Sequence, residues 1–288
     1  MDIVEIAASG WTLQLLPANG GAIGALRLHG RAILRPTSTD GAAGLTSPLA
    51  TSCFPLLPFA NRIAWGRFDF EERTVVLRRP DDYPHSLHGL GWTSAWDVTA
   101  ATDAAITLTH VHDADDRWPW SYHAEQHFAL GEQGLAVTLT LTNRSTEAMP
   151  ASIGLHPYFP VTPAMRLRFQ SERVWLTDAE LLPTHPAPAD AFGDWRQGDA
   201  LPDYLVDNSY DGWNGAASLA DAGAVTTIAA PSATHLHLFA PPGLGFCCVE
   251  PCSALPDALS RGGATVLQPG ERMELTMRID HGITPPSS

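Results

Sequence analysis

Residues Leu135–Thr142 read LAVTLTLT, a run in which leucine and valine alternate with alanine and threonine. Successive side chains of a β-strand point to opposite faces, so this alternation predicts a strand with one buried and one polar face. The tetrapeptide Gly131–Gly134, GEQG, stands just before the run and predicts a hairpin turn. This part of the chain is therefore expected to form antiparallel β-sheet.

The same period of two recurs along the chain, whereas segments of helical period are scarce, with one short candidate at Pro256–Ser260. Glycine and proline each supply 24 of the 288 residues, which indicates many turns. Closely spaced strands with few helices between them favour an all-β sandwich or barrel. The further predicted strands are Thr74–Arg79, Ile106–His112, His235–Ala240 and Met273–Ile279.

No shift in composition divides the chain, so residues 1–288 are interpreted as one domain. Within it, Leu182–Phe192 reads LPTHPAPADAF and is expected to be a long surface connection. Residues 283–288, ITPPSS, are expected to form a frayed tail.

The chain is acidic, with 17 Lys and Arg against 31 Asp and Glu and a net charge of −14. That balance disfavours nucleic acid and anionic membranes as partners and leaves a neutral small ligand open. No apolar run reaches the length of a transmembrane helix, and no basic segment opens the chain, so we expect neither membrane span nor signal peptide. The four cysteines lack CxxC spacing, which favours reduced, buried thiols in a cytoplasmic protein. They are Cys53, Cys247, Cys248 and Cys252.

Two polar segments hold candidate ligand-binding residues. Arg62 follows Asn61 among apolar residues, and its rigid fork of donors suits ligand oxygens, although such a fork also ties down loops. His88 stands beside glycines that let the backbone approach a ligand closely, although a structural role is the alternative. Both readings stay open from these segments alone.

Two further segments hold candidate acid–base residues. His156 lies in an apolar run, where its surroundings can tune it to act as an acid near neutral pH; a core histidine is the alternative. Glu250 ends an apolar, strand-like run, where a carboxylate is costly to bury unless it is paired or functional. Desolvation would raise the pKa of Glu250 and make it a better base, while pairing with a buried arginine is the alternative.

Two histidine pairs, His110 with His112 and His235 with His237, each have the spacing of one strand face. Neither pair has a third ligand nearby, so we expect these side chains on a strand surface and no metal site. Three of the nine tryptophans lie beside the polar segments and could line a pocket for the apolar face of a sugar. They are Trp65, Trp92 and Trp213.

Taken together, the polar segments resemble those of the aldose 1-epimerase (mutarotase) family, the galactose mutarotase-like group. They occur in the family's order and at its approximate spacings, between residues 61 and 251. Each motif is weak by itself, but the ordered set is fairly specific. The motifs are NRIAWGRF at Asn61–Phe68, LHGLGW at Leu87–Trp92, GLHPYF at Gly154–Phe159, VDNSYDGW at Val206–Trp213 and CVEP at Cys248–Pro251.

The resemblance implies an all-β, galactose mutarotase-like β-sandwich, or supersandwich, with an open sugar cleft. It implies an isomerase that interconverts the α and β anomers of a cyclic aldose by ring opening and reclosure, without cofactor or metal. His156 matches the family's general acid, Glu250 its general base and His88 its second active-site histidine. The substrate-binding residues that it implies are Arg62, Asn61, Asp207 and Trp213.

We expect the Glu250 carboxylate to raise the pKa of His156, so that the coupled pair gives a bell-shaped pH profile. Alternative functions are a hexose-6-phosphate mutarotase, a non-catalytic carbohydrate-binding protein, and a glycosidase that pairs Glu250 with Asp207. The expected partner is a small-molecule sugar, and the expected state is a monomer or homodimer. A phosphorylated sugar would need basic residues at the cleft rim, for which the candidates are Arg67, Arg73, Arg78 and Arg79.

Overall fold

The computed structural model describes residues 3–37, 47–80 and 82–283, and most of its regular structure is β-strand. The one α-helix in these ranges is α1 (Ala258–Arg261), which overlaps the predicted Pro256–Ser260. Residues 284–288 of the predicted tail lie outside the described residues. The strands are β1 (Val4–Ala8), β2 (Trp11–Leu16), β3 (Ala22–Leu28), β4 (Arg31–Ala32), β5 (Pro55–Leu56), β6 (Arg62–Ile63), β7 (Arg67–Phe70), β8 (Arg73–Val76), β9 (Ser86–Leu87), β10 (Asp97–Ala101), β11 (Ala105–His112), β12 (Tyr122–Leu130), β13 (Gly134–Asn143), β14 (Met149–Ala151), β15 (Gly154–Leu155), β16 (Tyr158–Pro160), β17 (Arg166–Phe169), β18 (Arg173–Thr177), β19 (Pro183–Pro188), β20 (Val206–Asp211), β21 (Ala216–Asp221), β22 (Ala224–Ala229), β23 (His235–Ala240), β24 (Phe246–Cys252), β25 (Thr265–Leu267) and β26 (Arg272–Ile283).

Two 8-stranded sheets dominate the molecule. The first has the order β10-β11-β12-β13-β26-β22-β21-β17. The second has the order β19-β18-β20-β23-β24-β15-β5, and β16 also pairs with β24. One hydrophobic cluster contains Leu139 and Ile279 of the first sheet together with Val206 and Leu238 of the second. The sheets therefore pack as a sandwich, which confirms the predicted all-β class.

The predicted strand at Leu135–Thr142 lies inside β13, between β12 and β26 in the first sheet. Leu135, Val137, Leu139 and Leu141 are fully buried, while the threonines between them are half-buried. The preceding turn closes through a hydrogen bond in which the Gly131 amide donates to the Gly134 carbonyl over 2.8 Å. The alternation in sequence thus reports correctly which face of β13 meets the core.

The expectation of a loop over Leu182–Phe192 is wrong in part, because Pro183–Pro188 forms β19. This strand pairs with β18 and lies at the edge of the second sheet. Prolines cannot donate to a sheet ladder but are tolerated on edge strands, where one side has no neighbour to satisfy. No helix in the described ranges has the length and apolar character needed to cross a membrane.

Candidate active site

Three neighbouring strands of the second sheet present polar residues on one face. In β20, β23 and β24 the alternate positions Val206, Leu238 and Val249 enter the core between the sheets. Because side chains alternate along a strand, the residues between them lie on the outer face. The cross-strand register then sets His237 opposite Glu250.

His156 reaches the same face from the connection between β15 and β16. Both of these strands pair with β24, with Gly154 opposite Cys252 and Tyr158 opposite Cys248. The two pairings belong to the same antiparallel register. Midway between them, that register places His156 opposite Glu250. The His156 ring is held between Phe54 and Tyr158, at centroid distances of 4.5 and 4.8 Å.

Two loops cover this face and bring in Arg62 and His88. The short strands β6 and β9 pair Arg62 with Leu87, and the His88 amide donates to the Asn61 carbonyl over 2.8 Å. At Gly89, φ is +72°, and a Cβ atom there would lie 2.1 Å from the carbonyl oxygen of Leu57. Only glycine therefore fits this turn, which explains the glycine that follows His88.

These elements enclose a hollow of about 280 Å³, close to the lower limit of ligand pockets, about 300 Å³. We call it the central hollow. It unites six of the sequence-predicted site residues, all of them at most 9% exposed. They are Asn61, Arg62, His88, His156, Asp207 and Glu250. The other lining residues are Arg35, Leu49, Leu87, Tyr158, His237, Phe239 and Phe246.

A buried ion pair joins Arg62 to Asp207. The Nη2 and Nη1 atoms of Arg62 donate to Oδ2 and Oδ1 of Asp207 over 2.9 and 3.3 Å, and Nη1 also donates to the Asn61 side chain. Tyr83 accepts from Nε of Arg62 over 2.6 Å. The guanidinium is therefore fixed from three sides.

His237 extends this network on the far side of Asp207. Its Nε2 atom lies 2.9 Å from Oδ1 of Asp207, and its Nδ1 atom lies 2.7 Å from the Ser209 hydroxyl. Burial alone would raise the pKa of Asp207, but the hydrogen bonds and charges of His237 and Arg62 lower it well below its ordinary value. Asp207 is thus an ionised carboxylate held by both Arg62 and His237.

The proposed acid and base meet at the floor of the hollow. Nε2 of His156 lies 3.3 Å from Oε1 of Glu250. The contact lacks the alignment of a hydrogen bond, and both Glu250 oxygens are without a partner among the described residues. Nδ1 of His156 also has no partner there. Two buried polar side chains therefore keep unused hydrogen-bonding capacity beside the hollow.

The expected rise in the pKa of His156 is wrong. Burial lowers its pKa to about 3 and raises that of Glu250 well above its ordinary value, because desolvation disfavours the charged form of each group. Burial and the neighbouring His156 also lower the pKa of His88 well below its ordinary value. Burial thus favours a neutral imidazole beside a neutral carboxylic acid.

The expectation that three tryptophans line a sugar pocket is wrong for the central hollow, because its lining includes none of Trp65, Trp92 and Trp213. Trp213 is 5% exposed, belongs to the main hydrophobic cluster and donates to the Ala216 carbonyl, so it does not line the central hollow. Trp92 packs behind the site against Phe54 and His88. Trp65 is 56% exposed and contacts His85 outside the lining set.

Sequence reasoning misses His237 and Arg35. The spacing of the histidines predicts a strand surface for His237 and for His112, yet both are 4% exposed. The alternation of HLHLFA does show that His237 shares a face with Phe239, but not that loops cover that face. Arg35 has no motif around it; its guanidinium stacks on Tyr158, 3.7 Å from the ring centroid, and donates to backbone carbonyls at the edge of the hollow.

A larger cavity of about 410 Å³ lies elsewhere, beside Phe169 and Trp195. Its charged lining residues, such as Glu172 and Arg196, are exposed. Buried ionisable groups that converge on one space are the better indication of a chemical site. The central hollow is therefore the candidate active site.

Comparison with known proteins agrees with the fold. The family model for aldose 1-epimerase matches residues 6–280, and the chain belongs to this family. The uncharacterised protein YphB of Escherichia coli K12 is 31% identical over 280 residues, which cover 91% of this chain and 93% of YphB.

Two crystal structures show the same architecture. An Escherichia coli K12 protein, provisionally assigned as an aldose 1-epimerase, has a TM-score of 0.89 at 29% identity, covering 98% of this chain and 99% of the other. A galactose mutarotase-like protein of Clostridium acetobutylicum also has a TM-score of 0.89, at 20% identity, covering 98% and 95% of the two chains. The fold is therefore galactose mutarotase-like, as the motifs implied.

Proposed function

We propose that this protein is an aldose 1-epimerase that interconverts the α and β anomers of a cyclic aldose. The observation that carries the proposal is the 3.3 Å approach of His156 Nε2 to Glu250 Oε1 at the floor of the central hollow. Anomerisation needs one group that removes a proton and one that delivers a proton, close together. An imidazole and a carboxylate in contact meet that need without a cofactor.

The reaction begins with a cyclic hemiacetal. Glu250, as a carboxylate, takes the proton from the C1 hydroxyl, while His156, as an imidazolium, gives a proton to the ring oxygen. The C1–O5 bond breaks, and the C1–O1 bond becomes the carbonyl of the open-chain aldehyde. Rotation about C1–C2 and reclosure, with each proton returned, then yield the other anomer.

Sugar binding stabilises the charged forms of His156 and Glu250, which burial by itself disfavours. The Glu250 oxygens lack partners among the described residues, and hydroxyl donors of a bound sugar would stabilise its carboxylate form. The single proton of the pair then moves to His156 across the 3.3 Å contact. After ring opening the pair returns to neutral imidazole and neutral acid, the arrangement that burial favours. The enzyme therefore holds the same number of protons before and after each turnover.

The remaining residues orient the sugar. Arg62, fixed by Asp207 and Asn61, presents guanidinium donors to ring hydroxyls, and Asp207 accepts a sugar hydroxyl as well as holding Arg62. His88, with an Nδ1 atom that lacks a partner in the described part of the chain, binds the ring oxygen or a neighbouring hydroxyl. Trp213 is not part of this set, because it lies in the core.

Polarimetry tests the proposal. Freshly dissolved α-glucose, α-galactose and arabinose are each followed with and without the enzyme, in buffer of the same composition. An aldose 1-epimerase accelerates the change in rotation of at least one sugar above the spontaneous rate. A carbohydrate-binding protein leaves every rate unchanged, and a glycosidase releases nitrophenol from an aryl glycoside; either result would contradict the proposal.

A phosphorylated sugar is the second candidate, and Arg35 is the observation that favours it. Its guanidinium borders the hollow, and its Nε atom has no partner among the described residues. The four arginines suggested by the sequence do not line this hollow. Glucose 6-phosphate therefore belongs in the panel, with an Arg35→Gln variant. Selective loss of activity towards the phosphorylated sugar in that variant would identify it as the substrate.

A further inference from the structure

The Cys248 thiol completes a cluster of three potential metal ligands. Cys248 and Glu250 are two residues apart on β24 and share a face, and His156 lies across from them. One ligand atom from each residue lies within 4.8 Å of the other two, and all three residues are buried. This nitrogen, sulfur and oxygen set is the type that Zn²⁺ prefers.

The spacing suits a tetrahedral ion. Zinc binds nitrogen and carboxylate oxygen at about 2.0–2.1 Å, so two such ligands at a tetrahedral angle lie about 3.3 Å apart. The separation of His156 Nε2 from Glu250 Oε1 is also 3.3 Å. A thiolate, at about 2.3 Å from zinc, would sit about 3.6 Å from the nitrogen. Because the ligand atoms already lie within 4.8 Å of one another, the sulfur needs to approach by about 1.2 Å at most.

A second observation points to a cation here. Glu250 is 1% exposed, and both of its oxygens lack hydrogen-bond partners among the described residues. The carboxylate form of such a buried group is costly without partners, and a bound cation is one way to stabilise that form. The central hollow borders His156 and Glu250 and provides an entry path to them.

We propose that His156, Cys248 and Glu250 form an inhibitory zinc site in which the metal excludes the sugar. Zinc takes the nitrogen lone pair of His156, the carboxylate of Glu250 and the thiolate of Cys248. Binding releases two protons, one from the thiol and the one that His156 and Glu250 share. The inhibition rests on the proposed epimerase function, because the metal would occupy both proton-transfer groups of that reaction. The binding of zinc itself does not depend on the proposed function.

Cys247 is the matched control for Cys248. It neighbours Cys248 on β24 and is equally buried, but it belongs to the main core between the sheets. Cys248 instead packs with Phe54 and Tyr158 on the outer face. Cys247→Ala and Cys248→Ala thus remove the same thiol from opposite faces of one strand.

Metal titration of the full chain tests the site. Co²⁺ is added to the wild type, Cys247→Ala and Cys248→Ala, and thiolate-to-cobalt charge-transfer absorption is recorded; Zn²⁺ affinity is measured against a chromophoric chelator. We expect the absorption band in the wild type and Cys247→Ala but not in Cys248→Ala. Loss of an outer-shell partner already costs about 10–100-fold in metal affinity, so loss of the thiolate should weaken zinc at least as much.

Kinetics then test the inhibition. Zinc should raise the apparent KM for the sugar in the wild type and in Cys247→Ala, and Cys248→Ala should keep its metal-free turnover while resisting zinc. The absence of a charge-transfer band, or equal zinc affinity in Cys248→Ala and wild type, would overturn the proposal. Glu250→Gln, which also removes a ligand, provides the same binding test if Cys248→Ala fails to fold. Because the absorption does not depend on turnover, the zinc site and the epimerase function can fail separately.

Discussion

His156 and Glu250 meet across one strand register, with Nε2 of the histidine 3.3 Å from Oε1 of the glutamate. The pair lies at the floor of a hollow whose walls carry Arg62, Asp207 and His88. Burial favours the neutral form of both groups, so the pair keeps one proton over a wide range of pH. The pH dependence, the stability and the turnover of the protein should all reflect this pair.

The acid limb of the pH profile of kcat/KM should lie at a pH far below the pKa of an ordinary histidine. The pair is active while it holds one proton, and burial lowers the pKa for adding a second proton at His156 to about 3. On the alkaline side, the last proton leaves only above the ordinary range of a glutamate, because burial raises the pKa of Glu250. The bell-shaped profile is thus broad, and kcat/KM should stay constant as the pH falls through 6.5.

Polarimetry between pH 4 and pH 9 measures this profile, after subtraction of the buffer-catalysed rate. Circular dichroism at each pH checks that the chain stays folded. An acid limb near pH 6.5 would show that His156 titrates as a solvated imidazole and would contradict a neutral, desolvated pair.

Glu250→Gln should stabilise the fold while it removes activity. The folded-state pKa of Glu250 is raised, so its contribution to stability is present below its unfolded value of about 4.5 and is lost as the pH rises through the folded value. Glutamine stays neutral and can donate to Nε2 of His156. We expect the free energy of unfolding at pH 8 to increase by about 1–3 kcal/mol, and the gain to shrink towards pH 4.5.

Urea unfolding at pH 5, 6.5 and 8 measures this gain. Glu274→Gln is the control, because Glu274 is exposed on β26 and a surface substitution should change stability by less than about 0.5 kcal/mol. If the Glu250→Gln protein is less stable than wild type at pH 8, the surrounding residues stabilise the Glu250 carboxylate enough to offset its burial, which would contradict the prediction.

Asp207→Ala should destabilise the protein and weaken sugar binding. The substitution leaves the Arg62 guanidinium, whose side chain is 10% exposed, without its carboxylate partner, and breaking a buried ion pair costs about 3–5 kcal/mol. The exposed pair of Arg73 and Glu147 supplies the control, since Glu147→Ala should cost less than about 1 kcal/mol. Equal losses in the two variants would show that solvent screens the Arg62–Asp207 pair.

Arg62→Lys separates binding from chemistry. Lysine keeps the charge but not the planar fork that reaches both oxygens of Asp207. Its main effect should be a higher KM with a smaller change in kcat, the pattern of an interaction made equally in the ground and transition states. A loss of kcat at saturating sugar would instead show that Arg62 stabilises the transition state more than the bound sugar.

The alternation of apolar and polar residues predicts the strands of this chain well, because the buried and exposed faces of the strands follow that alternation closely. The register of β13 and the strand β23 follow from a period of two, and β19 fails only because its prolines occupy an edge strand. The motifs likewise bring six of seven predicted site residues into one hollow. Trp213 fails because a motif gives proximity in sequence, whereas the connection between β20 and β21 places that side chain in the core.

The sequence does not reveal how deeply a side chain is buried or which residues remote in the chain contact it. His237 lies on a face that alternation identifies, but the loops of Arg62 and His88 that cover the face come from elsewhere in the chain. Arg35 joins the site through a contact with Tyr158, which is remote in sequence. The direction of the His156 pKa shift does not follow from the motifs, because they reveal the neighbouring carboxylate but not the burial.

The most direct test of the central claim is a double-mutant cycle on kcat for anomerisation, with His156→Gln, Glu250→Gln and the double variant. Each positioned proton-transfer group contributes about 10²–10⁴-fold, so each single variant should lose roughly that factor. Because the two groups pass one proton between them, the double variant should be about as slow as either single variant. Single variants that keep most of the wild-type turnover, or a double variant whose loss is the product of the two, would contradict a catalytic pair.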